Sequence, residues 1–160
     1  MSSVRRRLTL KGVKPRALCQ HEFDNFYLYG AVEPLTGDSL FLELPYLDSE
    51  NFQIFINYFA EHHKESLNLL VLDNGSFHKT PKIRRPEHVR FVFTPPYTPE
   101  VSPIERVFED VKEKVSIAVY ESLDELSDRL CEVIQGYRAQ QLSSLTSYGF
   151  FRKGAEAVSL

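Results

Sequence analysis

The chain has 160 residues, enough for one ordinary domain with a buried core. Hydrophobic residues make up 42% and charged residues 26%, which excludes a disordered chain, and no apolar run approaches the ~20 residues of a membrane helix. The net charge of −3 excludes a uniformly basic nucleic-acid binder, but it averages over a segregated charge pattern.

Residues 1–16 carry Arg5, Arg6, Arg7, Lys11, Lys14 and Arg16 with no acid, and residues 79–90 carry Lys79, Lys82, Arg84, Arg85 and Arg90 against Glu87 alone. A phosphate backbone reads such local patches rather than net charge, although a solvated basic surface explains each of them equally well. The basic start, MSSVRRRLTLKG, has no apolar stretch or small-residue cleavage site after it and does not read as a signal peptide. Cys19 and Cys131 lie far apart, without metal-site or disulfide spacing. Two reduced thiols place the expected chain in the cytoplasm.

In chain order, Phe26–Val32 is rich in β-branched and aromatic residues and predicts a strand. The turn Glu33–Asp38 and a second strand, Ser39–Leu44, complete a hairpin. Asp48 or Ser49 can cap a helix whose apolar positions Phe52, Phe55, Ile56 and Phe59 follow helical spacing to about His63. Leu67–Leu72 and Val89–Phe93 read as short buried strands. Thr94–Pro103 holds four prolines and reads as irregular. Helical spacing returns over Ile104–Ala118 and Leu123–Tyr137. The expected division is a domain over residues 1–140 and a weakly structured tail over 141–160. A hairpin followed by helical crossovers predicts an α/β fold: a mixed sheet with flanking helices. No helix-turn-helix pattern is evident.

Asp73 directly follows the run LLVL, where an open α/β sheet collects functional groups beyond the carboxyl ends of its strands. An Asp in Asp-Asn-Gly also forms turns by bonding nearby amides. Glu105 lies in the first turn of the helix opening at Pro103, a place that the helix dipole favours for any acid. Taken singly, each residue is explained without function. Taken together, Asp73 ends one strand and Glu105 follows the next, so the two carboxylates can converge at one sheet edge. Such a pair repels unless a divalent cation lies between.

The segments VLDNGSFHK (Val71–Lys79) and FTPPYTPEVSPIERVFEDVK (Phe93–Lys112) resemble the second and third signature blocks of mariner-like bacterial insertion-sequence transposases, members of the DDE superfamily. The blocks match at Asp73, Asn74, His78, Pro95, Pro96, Tyr97, Pro99, Pro103 and Glu105, with 31 residues between the two acids. The resemblance runs from about Arg5 to Lys114. It implies an RNase H-like fold and divalent-metal-dependent DNA strand cleavage and transfer, with Mg²⁺ or Mn²⁺ as cofactor. By motif position Asp73 and Glu105 are the catalytic metal ligands. Asn74, His78 and Ser102 support the site, and Ser102 stands where the family carries Asn. Arg5, Arg6, Arg7, Lys11, Lys79, Lys82, Arg84 and Arg85 are the expected DNA contacts.

The family's first acid ends a central strand that would precede Met1, so the sheet is expected to lack that strand and the chain alone to be poorly active. The expected partners are double-stranded DNA at transposon ends and target, an upstream-encoded N-terminal segment, and a further copy of the chain; no membrane is among them. Two rival readings remain: another RNase H-like nuclease whose site Glu33 or Asp38 completes, and a non-enzymatic DNA-binding remnant or regulator of transposition.

Overall fold

The computed structural model describes residues 25–95, 102–149 and Lys153. Strand β1 (Tyr27–Val32) pairs antiparallel with β2 (Ser39–Leu44), in register from Tyr27 opposite Leu44 to Val32 opposite Ser39. Their turn is closed by Glu33 N–H to Asp38 O and Gly37 N–H to Glu33 O, both 2.8 Å. Gly37 takes φ +76°, a backbone region that side-chain-bearing residues rarely adopt.

Helix α1 (Ser49–His62) begins at Asp48, whose carboxylate accepts from the amides of Glu50 and Asn51 at 3.0 and 2.8 Å. Strand β3 (Asn68–Leu72) and β4 (Val89–Phe93) pair in parallel, Asn68 opposite Val89 and Leu72 opposite Phe93. A single 3-10 turn, Ser76–His78, lies in their connection. Helices α2 (Pro103–Val115), α3 (Leu123–Gln135) and α4 (Ala139–Thr146) follow.

Strand alternation sorts the side chains into two cores. Tyr29, Ala31, Leu40, Leu42 and Leu44 face α1, whose buried Phe52, Phe55, Ile56 and Phe59 also meet Leu70, Val89 and Phe91 of the second sheet. Leu28, Val32 and Phe41 face the other way, toward Val107 and Val111 of α2, Leu130 and Val133 of α3 and Leu142 of α4. The first sheet is therefore sandwiched between α1 and the three later helices. Among the described residues the second sheet is packed on one face: Leu69, Val71 and Val92 on the other are 42–45% exposed.

Three expectations require correction. Among the described residues the strands form two two-stranded sheets, β1–β2 and β3–β4, rather than one continuous mixed sheet lacking a strand. The expected tail contains α4, which buries Leu142 and Thr146; its sequence AQQLSSLT has only two large apolar residues, so its periodicity is faint. Finally, α2 stops at Val115 rather than Ala118, leaving Ile117 83% exposed, and α3 stops at Gln135 rather than Tyr137. Among the described residues no helix is long and apolar enough to cross a membrane.

Candidate active site

Asp73 is the first residue beyond β3, and its side chain is 63% exposed. Its Oδ1 accepts the Gly75 amide at 2.8 Å and lies 2.8 Å from His78 Nδ1. Both contacts fall on the same oxygen, so among the described residues Oδ2 is left open. His78 is held from behind: its ring packs 4.5 Å from that of Phe52 and 4.0 Å from that of Phe77, centroid to centroid. Burial pushes the imidazole below its ordinary 6.5, against the pull of the Asp73 carboxylate. A carboxylate only accepts, so the neutral ring carries its proton on Nδ1 and donates it to Asp73. The 3-10 turn Ser76–His78 sets this geometry by bringing His78 N–H back to Gly75 O at 3.1 Å.

Asn74 points the other way. Its Nδ2 donates to Thr94 O at 2.6 Å, and its Oδ1 accepts from Lys79 Nζ. The Lys79 ammonium also lies 5.1 Å from the centroid of the Phe93 ring, a cation–π distance. Thr94 N–H in turn donates to Leu72 O at 2.9 Å, extending the β3–β4 ladder by one bond. The structure thus brings together Asp73, Asn74, His78 and Lys79 with the strand end at Thr94. Sequence reasoning missed Thr94, Phe52 and Phe77. Thr94 acts through its backbone, which leaves no signal in residue type, and Phe52 read as an ordinary core position of α1.

Glu105 is exposed in the first turn of α2, its amide bonded to Ser102 O at 3.1 Å. Ser102 is the N-cap residue, with extended backbone and no capping bond from its hydroxyl. Pro103 suits the first helical position, where its missing N–H costs nothing. No hydrogen bond or ion pair joins Glu105 to Asp73 among the described residues, and no group of three or more His, Cys, Asp and Glu side chains gathers there as a metal site. Each exposed carboxylate is nevertheless an oxygen donor of the kind that a hard divalent cation would take.

The rival third acids lie elsewhere. Glu33 accepts from Thr36 within the hairpin turn, and Asp38 bonds Ser39 N–H at 2.9 Å and His63 Nε2 at 3.2 Å, at the C-terminal end of α1. Among the described residues neither joins Asp73 in a group of three or more such side chains able to hold a metal ion. Lys82, Arg84 and Arg85 are exposed. Arg84 is fixed through its backbone by the Gln53 side chain, at 2.6 and 3.0 Å, and the Arg85 guanidinium lies 5.7 Å from the Phe91 ring. Arg85 and Arg90 line an open basin of about 620 Å³. Arg5, Arg6, Arg7 and Lys11 lie outside the described residues.

The sequence model of one family, described as DDE superfamily endonuclease, matches residues 2–127. An uncharacterized protein, y4pE/y4sA, of Sinorhizobium fredii (strain NBRC 101917 / NGR234) is 30% identical over 107 residues, 66% of this chain and 79% of that protein. No solved structure matches the chain. The match takes in both β-sheets, α1, α2, Asp73 and Glu105, and on it the chain belongs to the DDE superfamily of endonucleases.

Proposed function

We propose that the chain is the C-terminal part of an RNase H-like transposase catalytic domain, of the mariner-like insertion-sequence type, which cuts and joins DNA strands with Mg²⁺ or Mn²⁺. The observation that carries this reading is the arrangement at Asp73. An exposed carboxylate beyond the carboxyl end of a strand has one oxygen held by Gly75 and His78 and the other open. Hydrogen bonding of a ligand carboxylate by its neighbours is how metal sites orient their ligands. Glu105 belongs to the segment that leaves the same end of the adjacent parallel strand β4.

When bound, divalent cations stabilise charge on the attacking and leaving oxygens of an in-line phosphoryl transfer. Asp73 and Glu105 supply oxygen ligands, the Gly75 amide and neutral His78 orient Asp73, and Lys79 brings positive charge beside them. Lys82, Arg84 and Arg85, together with Arg5, Arg6, Arg7 and Lys11, contact DNA phosphates, which position the duplex without reading its sequence.

The separation of the strands into two sheets supports one further element. Among the described residues β1 pairs only with β2 and β3 only with β4, while α1 packs over both pairs. A central strand between β1 and β3, supplied by an upstream segment, would join the sheets and bring the first acid to Asp73.

The test is nicking of supercoiled plasmid in Mg²⁺ or Mn²⁺, by the chain alone and combined with the upstream-encoded segment. The chain alone should nick weakly or not at all. The combination should nick, and Asp73→Ala or Glu105→Ala should abolish cleavage while leaving DNA retention intact. Cleavage that survives both substitutions sinks the assignment of the acids. Salt-sensitive DNA binding without cleavage in any combination supports the DNA-binding regulator instead.

A further inference from the structure

Resting on the metal-site reading above, we infer that Asn74 is a positioning residue that fixes the Asp73 loop to the strand end from which the Glu105 segment departs. Its side chain reaches from the Asp73 loop to the end of β4: Nδ2 donates to Thr94 O at 2.6 Å, across 20 positions of sequence. Thr94 is thereby held at both backbone groups, its N–H by Leu72 O and its C=O by Asn74. Thr94 is the first residue beyond β4.

The other end of the same amide holds Lys79 through Oδ1. An ammonium can only donate and a carbonyl can only accept, so the two partners fix the orientation of the Asn amide without ambiguity. Few side chains meet both demands at this reach. Asp lacks the donor for Thr94, and Ala has neither group. Asn74 also immediately precedes Gly75, whose amide holds Asp73 Oδ1 at 2.8 Å. Anchoring the Asn74 side chain therefore anchors the peptide that sets the Asp73 carboxylate.

The turn-forming habit of Asn in an Asp-Asn-Gly sequence explains a local hydrogen bond. It does not explain one to a carbonyl on another strand. Supporting partners of metal ligands commonly affect metal affinity about 10–100-fold, although they never touch the ion.

Two measurements on the full 160-residue chain test this. The first is amide hydrogen exchange by NMR in the wild type, Asn74→Ala and Asn74→Asp. Loss of the anchoring bond should speed exchange at Gly75 and Thr94 by about tenfold, while Ile56 and Val107 in the two cores stay unchanged. Asn74→Asp keeps the size of the side chain and an acceptor for Lys79, so it reports on the Thr94 bond if the alanine variant fails to fold. The second is Mn²⁺ titration followed by paramagnetic broadening of the Gly75 signal. Asn74→Ala should move the midpoint about tenfold upward or more.

Asp73→Asn separates the two readings. It should abolish the broadening and leave Thr94 exchange as it was. If it leaves the broadening unchanged, the metal assignment fails while the exchange result still decides the anchor. Unchanged exchange at Thr94 in both Asn74 variants overturns the inference. So does faster exchange with an unmoved Mn²⁺ midpoint, which would make Asn74 part of the fold and nothing more.

Discussion

Asp73 shows how much a single side chain depends on its immediate neighbours. Its orientation depends on a residue with no side chain, because a Cβ at Gly75 would meet Asp73 Oδ1 at 3.0 Å, Phe77 at 3.2 Å and His78 at 3.3 Å. Gly75 has φ −51°, so alanine is allowed by the backbone and the conflict is one of space. Gly75→Ala should cost about 1 kcal/mol of stability and displace the carboxylate, raising the Mn²⁺ midpoint; an unmoved midpoint would show that Oδ1 is not the orienting atom. A second carboxylate acts through stability. The Asn51 amide and side chain, with the Glu50 amide, hold Asp48 below its ordinary 3.8. A depressed carboxyl adds stability that is present above its unfolded value and lost as pH falls through the folded one. The acid limb of chemical denaturation should therefore steepen below about pH 3.8 and flatten in Asp48→Ser, which keeps a cap but has no proton to bind. At this scale the sequence displayed the residue types at 73, 74, 78 and 105 and their spacing. It could not display which atom each side chain would meet, since Thr94 O is a backbone atom 20 positions from Asn74.

At the level of elements, α1 connects the two sheets and the candidate site. Phe52 is 2% exposed and its ring lies 6.0, 4.5 and 5.9 Å from those of Phe77, His78 and Phe91. Phe52→Ala should cost about 3–5 kcal/mol, as removal of a buried ring usually does, and should free His78 to titrate nearer its ordinary value. NMR titration of His78 in the milder Phe52→Leu variant separates the second effect from global unfolding: an unchanged titration would mean that Phe77 alone secludes the ring. Helices α1, α2 and α3 were legible because each repeats apolar residues at the helical period over three or more turns. The four described strands were legible as short β-branched and aromatic runs bounded by turns, with only the starts of β1 and β3 shifted by a residue. α4 was not, because eight residues with Leu142 and Leu145 as their large apolar side chains carry too little pattern.

Across the whole molecule, α4 locks the end of the described chain onto its beginning. Ser143 Oγ donates to Pro34 O at 2.7 Å, and Gly37 sits so close to α4 that a Cβ there would lie 1.8 Å from Ala139 O. Leu142 completes the cluster formed by Val107, Val111, Leu130 and Val133. Ending the chain after Arg138 should therefore cost at least the about 2–5 kcal/mol of a buried Leu truncation, and should expose that cluster to a hydrophobic dye. A truncated chain with wild-type stability would show that α4 merely rests on the surface. Among the described residues the second sheet has no such cover over Leu69, Val71 and Val92, and this uneven coverage coincides with the division of the strands into two pairs.

The amino-acid sequence alone determined the local elements other than α4, the two acid-bearing blocks and the resemblance on which the family assignment was first expected. Periodicity, turn chemistry and motif spacing are properties of neighbouring residues and can be read without knowing what lies across the fold. Only the tertiary structure decided that the strands separate into two pairs, that a faintly patterned segment closes the second core, and that Asn74 reaches Thr94. Each of these rests on contacts between residues far apart in the chain, where packing and backbone atoms decide the outcome rather than residue type.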